Sequence, residues 1–163
     1  MDKTKKASCR GGTLIELMAV VAIMGLLVKI SLPSIQNTIL AYRLSAAASS
    51  VAAGIQQTRY QAVMVGCSYS IAFTAGTTTY QVQSQAISGT PPVCAGSFSN
   101  VGSAIPWTTG GGVSLTPSTT LQFSPNGIVT ATTGTLSFAL SNGSASTRTI
   151  TVSGVGNVKV TSP

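Results

Sequence analysis

One acidic residue, Glu16, lies near the start of an apolar run that is otherwise almost free of charge; across residues 13–32 the only other charged position is Lys29. About 20 residues at a helical rise of 1.5 Å span the ~30 Å hydrocarbon layer of a bilayer, so the run predicts a membrane-spanning helix. A carboxylate held at that depth costs about 2.5–3.5 kcal/mol on insertion scales, and a chain that keeps one there needs a cation to face it. Cutting the chain between Gly11 and Gly12 would supply that cation, as a new amino group four residues upstream of Glu16 and reachable from a neighbouring copy. Lys29 stands near the outer end of the run, where its stem can snorkel to the headgroups.

The segment from Gly11 to Val28 carries a recognisable order. It has a glycine, then Gly12, then Thr13-Leu14-Ile15-Glu16-Leu17-Met18, then an apolar helix with Pro33 downstream. In this it resembles the class III signal of type IV pilins and type II secretion pseudopilins. The resemblance implies that a prepilin peptidase cuts between Gly11 and Gly12 and methylates Gly12. The family pattern usually has Phe after the cut, where this chain has Gly12. The resemblance further implies that Glu16 pairs with an amine of an adjacent subunit and sets axial register. Its implied partners are other pilin or pseudopilin subunits and an inner-membrane assembly platform. The implied topology is a cytoplasmic amino terminus before cleavage and a periplasmic head on a single-pass anchor. An ordinary anchor would explain the apolar run, but not Glu16 or the short basic leader.

The formal charge of +7 divides between two parts of the chain. Lys3, Lys5, Lys6 and Arg10 against Asp2 give the leader +3, which holds the amino terminus in the cytoplasm. Lys29, Arg43, Arg59, Arg148 and Lys159 against Glu16 give the remainder +4, a thin electrostatic footprint for nucleic acid. A secretory signal places its cut after the apolar region, whereas the cut proposed here precedes it, so the apolar helix stays in the mature protein. Cys9 has no apolar region before it, which rules out a lipoprotein site, and it leaves with the leader. Cys67 and Cys94 remain. An even count in an exported domain favours a disulfide, closing a loop of about 27 residues worth about 3 kcal/mol; two unrelated thiols are the alternative.

Four segments follow: a leader over 1–11, a membrane half-helix over 12–32, an amphipathic half-helix over 33–65 and a β-rich head over 66–163. Pro33 lacks an amide hydrogen and predicts a kink or loosening, with Gly25 as a second weak point. Leu40, Leu44, Ala48, Val51, Ile55 and Ala62 recur at helical steps and mark one buried face, while Arg43, Gln57 and Gln61 fall mostly off it. Residues 13–64 would form a rod of roughly 80 Å. From Cys67 the period becomes two: Tyr69, Ile71 and Phe73; Tyr80 and Val82; Leu121 and Phe123; Leu136, Phe138 and Leu140; Ile150 and Val152; Val158 and Val160. These predict short antiparallel strands with one buried face, punctuated by turns at Pro125-Asn126-Gly127, Asn142-Gly143 and Gly154-Val155-Gly156. Residues 86–119, rich in Pro and Gly, predict a long surface excursion with Trp107 as a local packing anchor. The fold class is α+β, a long amino-terminal helix packed against an antiparallel β head.

Thr58-Arg59-Tyr60-Gln61-Ala62, Leu121-Gln122-Phe123-Ser124-Pro125-Asn126-Gly127 and Arg148-Thr149-Ile150-Thr151-Val152-Ser153 give the head a resemblance to the type II secretion H component and to FimT-like minor pilins. That resemblance implies a structural subunit at or near the filament tip. Catalysis lacks its usual residues: there is no His, and the only carboxylate after the leader is Glu16. No cofactor is expected. Neither a zinc shell nor an acidic calcium cluster can be assembled from these residues, and Gly110-Gly111-Gly112 lacks the lysine of a phosphate loop. Two other readings stay open. One is a DNA-binding minor pilin for uptake. FimT-like uptake pilins are associated with a Gly-Arg-any-Arg pattern, for which this chain has Gly156-Asn157-Val158-Lys159, leaving Lys159 and Arg148 as phosphate contacts. The other is an anchored head that binds a protein or carbohydrate.

Overall fold

The computed structural model describes residues 13–89, 93–108, 112–130, 136–141 and 146–162. The leader, Gly11, Gly12 and the Asn142-Gly143 turn lie outside them. The chain divides into two units, residues 1–38 and residues 39–163, and each is described by itself.

Both units draw on helix α1, Leu14–Val65. In the first unit the carbonyl of Thr13 accepts the amides of Glu16 and Leu17 at 3.1 and 3.2 Å, which starts the helix. Its large apolar side chains are exposed on every side, from Leu14 and Ile15 through Met24 to Ile30. A helix that is apolar all round requires a non-aqueous surrounding, and α1 is long and apolar enough to cross a membrane. Backbone helix continues through Pro33.

In the second unit the stripe on α1 packs as its spacing predicts. Leu44, Ala48, Val51, Ile55 and Ala62 are buried, Leu40 is half-buried, and Ala47 and Thr58 join them. Gly66 ends the helix at φ +73°, donating its amide to the Ala62 carbonyl at 3.0 Å. A left-handed residue just past a helix end is where glycine is favoured.

Nine strands follow among the described residues: β1 Tyr69–Phe73, β2 Thr79–Ser88, β3 Val93–Asn100, β4 Ile105–Pro106, β5 Ser114–Thr116, β6 Thr119–Phe123, β7 Leu136–Ser141, β8 Thr147–Val152 and β9 Val158–Thr161. One sheet runs β3-β2-β1-β6 with β4 also on β2; the other runs β5-β7-β8-β9. All named pairings are antiparallel. In the first sheet Val82, Ile71 and Leu121 stand opposite one another and form a buried row. In the second, Ile150 and Val152 are its buried residues from β8, with Leu115 from β5. These side chains and the α1 stripe form one core cluster. The sheets are stitched where β6 ends. Phe123 bridges Val129, and the Val129 amide donates to the Gly154 carbonyl at 2.9 Å.

One expectation is corrected. The described residues of 86–119 are not an irregular excursion: they hold the end of β2, all of β3, β4 and β5 and the first residue of β6, although β3 and β4 keep mostly exposed side chains. Pro106 lies inside the two-residue β4 and Gly96 inside β3, and proline is tolerated at a sheet edge. Trp107 belongs to the main core cluster.

Candidate functional site

Glu16 is the only acidic side chain among the described residues, and it sits in the first turn of α1. There the free amides at the helix start favour a negative charge. Thr13, Glu16, Leu17 and Val20 line a common hollow, so the carboxylate shares its face with two apolar side chains and one hydroxyl.

At the other end of α1, Arg59 makes a contact that spacing did not predict. Its Nε donates to the Gly127 carbonyl at 3.0 Å, in the turn that follows β6. A Cβ at Gly156, in the turn between β8 and β9, would stand 2.7 Å from that same Nε. Arg59 therefore lies against two glycine turns at once, Ser124–Gly127 and Ser153–Gly156, each closed by an amide-to-carbonyl bond of 2.8 Å. Three sequence segments singled out above meet at this one guanidinium. The signal that could have found it is an arginine near the helix end with no acid in the head to pair with.

Elsewhere on α1 the missing side chain of Gly54 admits Tyr80, whose Oη would lie 2.9 Å from a Cβ there. Tyr80 is buried and tilted against Phe73, with ring centroids 5.6 Å apart. Burial raises the Tyr80 phenol above its ordinary value. Cys67 and Cys94 are bridged, with Cα atoms 5.4 Å apart, tying β3 to the segment just past the helix end.

Arg148 and Lys159 do not converge. Lys159 stands opposite Thr151, and Arg148 is three residues from Thr151 on the same strand. Side chains alternate along a strand, so the two cations occupy opposite faces of the sheet. A lone cation on each face is no track for a phosphate backbone. Arg43, by contrast, lies in a groove of about 430 Å³ between α1 and the segment 106–108. Among the described residues no cluster of His, Cys, Asp or Glu could hold a metal ion.

Comparison with known proteins gives one family. The family model for the type II transport protein GspH matches residues 47–156, more than half of the chain. No curated protein sequence matches. Among solved structures, the type IV minor pilin FimU of Pseudomonas aeruginosa (strain PAO1) is similar at a TM-score of 0.58 and 20% identity, covering 76% of this chain and 94% of its own. The minor pseudopilin EpsH from the type 2 secretion system of Vibrio cholerae is similar at a TM-score of 0.52 and 14% identity, covering 74% of this chain and 98% of its own.

Proposed function

The chain belongs to the GspH family of type II transport proteins, structural minor pseudopilins rather than enzymes, and on that premise we propose a course for its assembly. A peptidase cuts between Gly11 and Gly12 and methylates the new Gly12 amine. The apolar part of α1 anchors the subunit in the inner membrane with the head on the periplasmic side. As the subunit joins the filament, Glu16 faces the amino terminus of an adjacent subunit, and the two charges neutralise each other in an apolar setting. The subunit sits at or near the tip and contacts the assembly platform on its way there.

The observation that carries this reading is Glu16, the only acidic side chain among the described residues, set in the exposed apolar stretch of α1. A charge there is costly in lipid and stabilising only when paired. Gly11→Trp is expected to leave the precursor unprocessed, seen as retention of the leader mass. Glu16→Ala is expected to leave processing intact and lower incorporation into filaments at least about tenfold, a loss of about 1.4 kcal/mol or more in the assembly equilibrium. Normal processing of the first variant, or normal incorporation of the second, would overturn the corresponding step.

A further inference from the structure

Resting on the assembly role above, we propose that the groove beside Arg43 seats an acidic, apolar-flanked segment of a non-identical subunit, with Arg43 receiving its carboxylate. One wall is Tyr42, Arg43, Ala46 and Ser50 on α1, and the other is Pro106 with Trp107. The floor is rigid, because Ala47 and Trp107 are 2% and 3% exposed and belong to the core. The rim is open: Arg43 is exposed, and Tyr42 keeps 75% of its surface. Small residues on α1 let a backbone approach closely, while Tyr42 and Pro106 offer apolar contact. Tyrosine and arginine are the side chains that most often anchor interfaces.

The sequence decides what can meet Arg43. No Asp or Glu follows Glu16 anywhere in the chain. Arg43, Arg59, Arg148 and Lys159 thus have no acidic side chain available within the head, nor in the head of a second copy. Two identical heads set cation against cation, which opposes association. A guanidinium fork matches a carboxylate in two parallel hydrogen bonds, so the complement is an acid carried by a different sequence. Nucleic acid fits less well. It needs several cations along one track, whereas Arg59 is engaged with Gly127 and the other two stand on opposite sheet faces.

Trp107 is the chain's only tryptophan, so its emission reports the groove directly. The full chain in detergent micelles is titrated with acetyl-Leu-Asp-Leu-Glu-Ala-amide and with its amide counterpart, acetyl-Leu-Asn-Leu-Gln-Ala-amide. The acidic peptide is expected to shift Trp107 emission saturably and to weaken as salt rises. Binding falls at least about tenfold for the amide peptide and for Arg43→Gln, and by less for Arg43→Lys, which keeps the charge and loses the fork. No saturable response up to about 5 mM would overturn the proposal, as would equal binding of both peptides or unchanged affinity in Arg43→Gln. Tighter binding of an oligothymidylate would assign the groove to nucleic acid instead. Self-association of the full chain that Arg43→Gln abolishes would assign it to a second copy. A negative peptide result beside normal dependence on Glu16 removes the groove and leaves the assembly role standing. Loss of the Glu16 dependence removes that role whatever the peptide does.

Discussion

Gly54 and Gly156 are both places where a methyl group has nowhere to go, but for different reasons. At Gly54 the obstruction is the rim of the Tyr80 ring, with Cζ and Oη each 2.9 Å from the point a Cβ would occupy. Alanine gains about 1 kcal/mol of helix propensity over glycine, whereas overpacking costs about 1–3 kcal/mol. Gly54→Ala is therefore expected not to stabilise, and to cost up to about 2 kcal/mol. Combined with Tyr80→Phe in a double-mutant cycle, it should show a coupling of at least about 0.5 kcal/mol. At Gly156 the backbone has φ +77°, and a Cβ would meet the Gly127 carbonyl oxygen at 2.7 Å as well as Arg59. Gly76, at φ +79° with nothing within 4 Å, is the matched control. Gly76→Ala should cost about 1–2 kcal/mol for the left-handed backbone alone, and Gly156→Ala about 1 kcal/mol more as the Arg59 bond is displaced. Urea unfolding followed by Trp107 emission checks all of these variants.

At the scale of elements, α1 serves two media. Residues 14–30 expose apolar side chains all round, and from Leu44 onward small and branched residues bury one stripe. The helix end is held three ways: by the left-handed Gly66, by Arg59 on two turns, and by the Cys67–Cys94 bridge. The bridge closes a span of 27 residues, and in the chain-entropy model such a loop is worth about 3 kcal/mol. Cys94→Ser is expected to lower unfolding stability by about that amount, with a reductant acting alike on the parent protein and leaving the variant unchanged. A parent protein unaffected by reductant would show the bridge contributes nothing to stability.

The whole head lacks both histidine and acidic side chains. Acid denaturation is mostly the protonation of carboxylates paired in the native state, so this head has no such limb. Its stability is expected to stay flat from about pH 9 down to about pH 3. The alkaline side differs. Burial raises Tyr80 in the folded protein, so above the ordinary phenol value of about 10 the unfolded chain releases that proton first. The native state then holds more protons than the unfolded state, and stability falls as pH rises. Tyr80→Phe should reduce that fall, as read by urea midpoints at pH 9 and 11. An acid limb between pH 5 and 3 would refute the argument.

Much of this was legible in the residues themselves. Glu16 within an apolar run, the helical stripe from Leu40 to Ala62, and the alternation in β1, β2, β6 and β8 are statements about period and solvent, whereas β9 forms as a strand but leaves Val160 exposed. Period and solvent act locally on a chain, so they can be read along it. The strands between residues 93 and 116 were hidden because their side chains are mostly exposed and carry little apolar alternation, and their place depends on β2 and β7 already being there. Arg59 between two turns, Tyr80 over Gly54, the opposite faces of Arg148 and Lys159, and the groove at Arg43 each join residues far apart in sequence. Only the packed structure decides such contacts, because sheet register and the closeness of helix and turn arise from the chain folding back on itself, which no local pattern encodes.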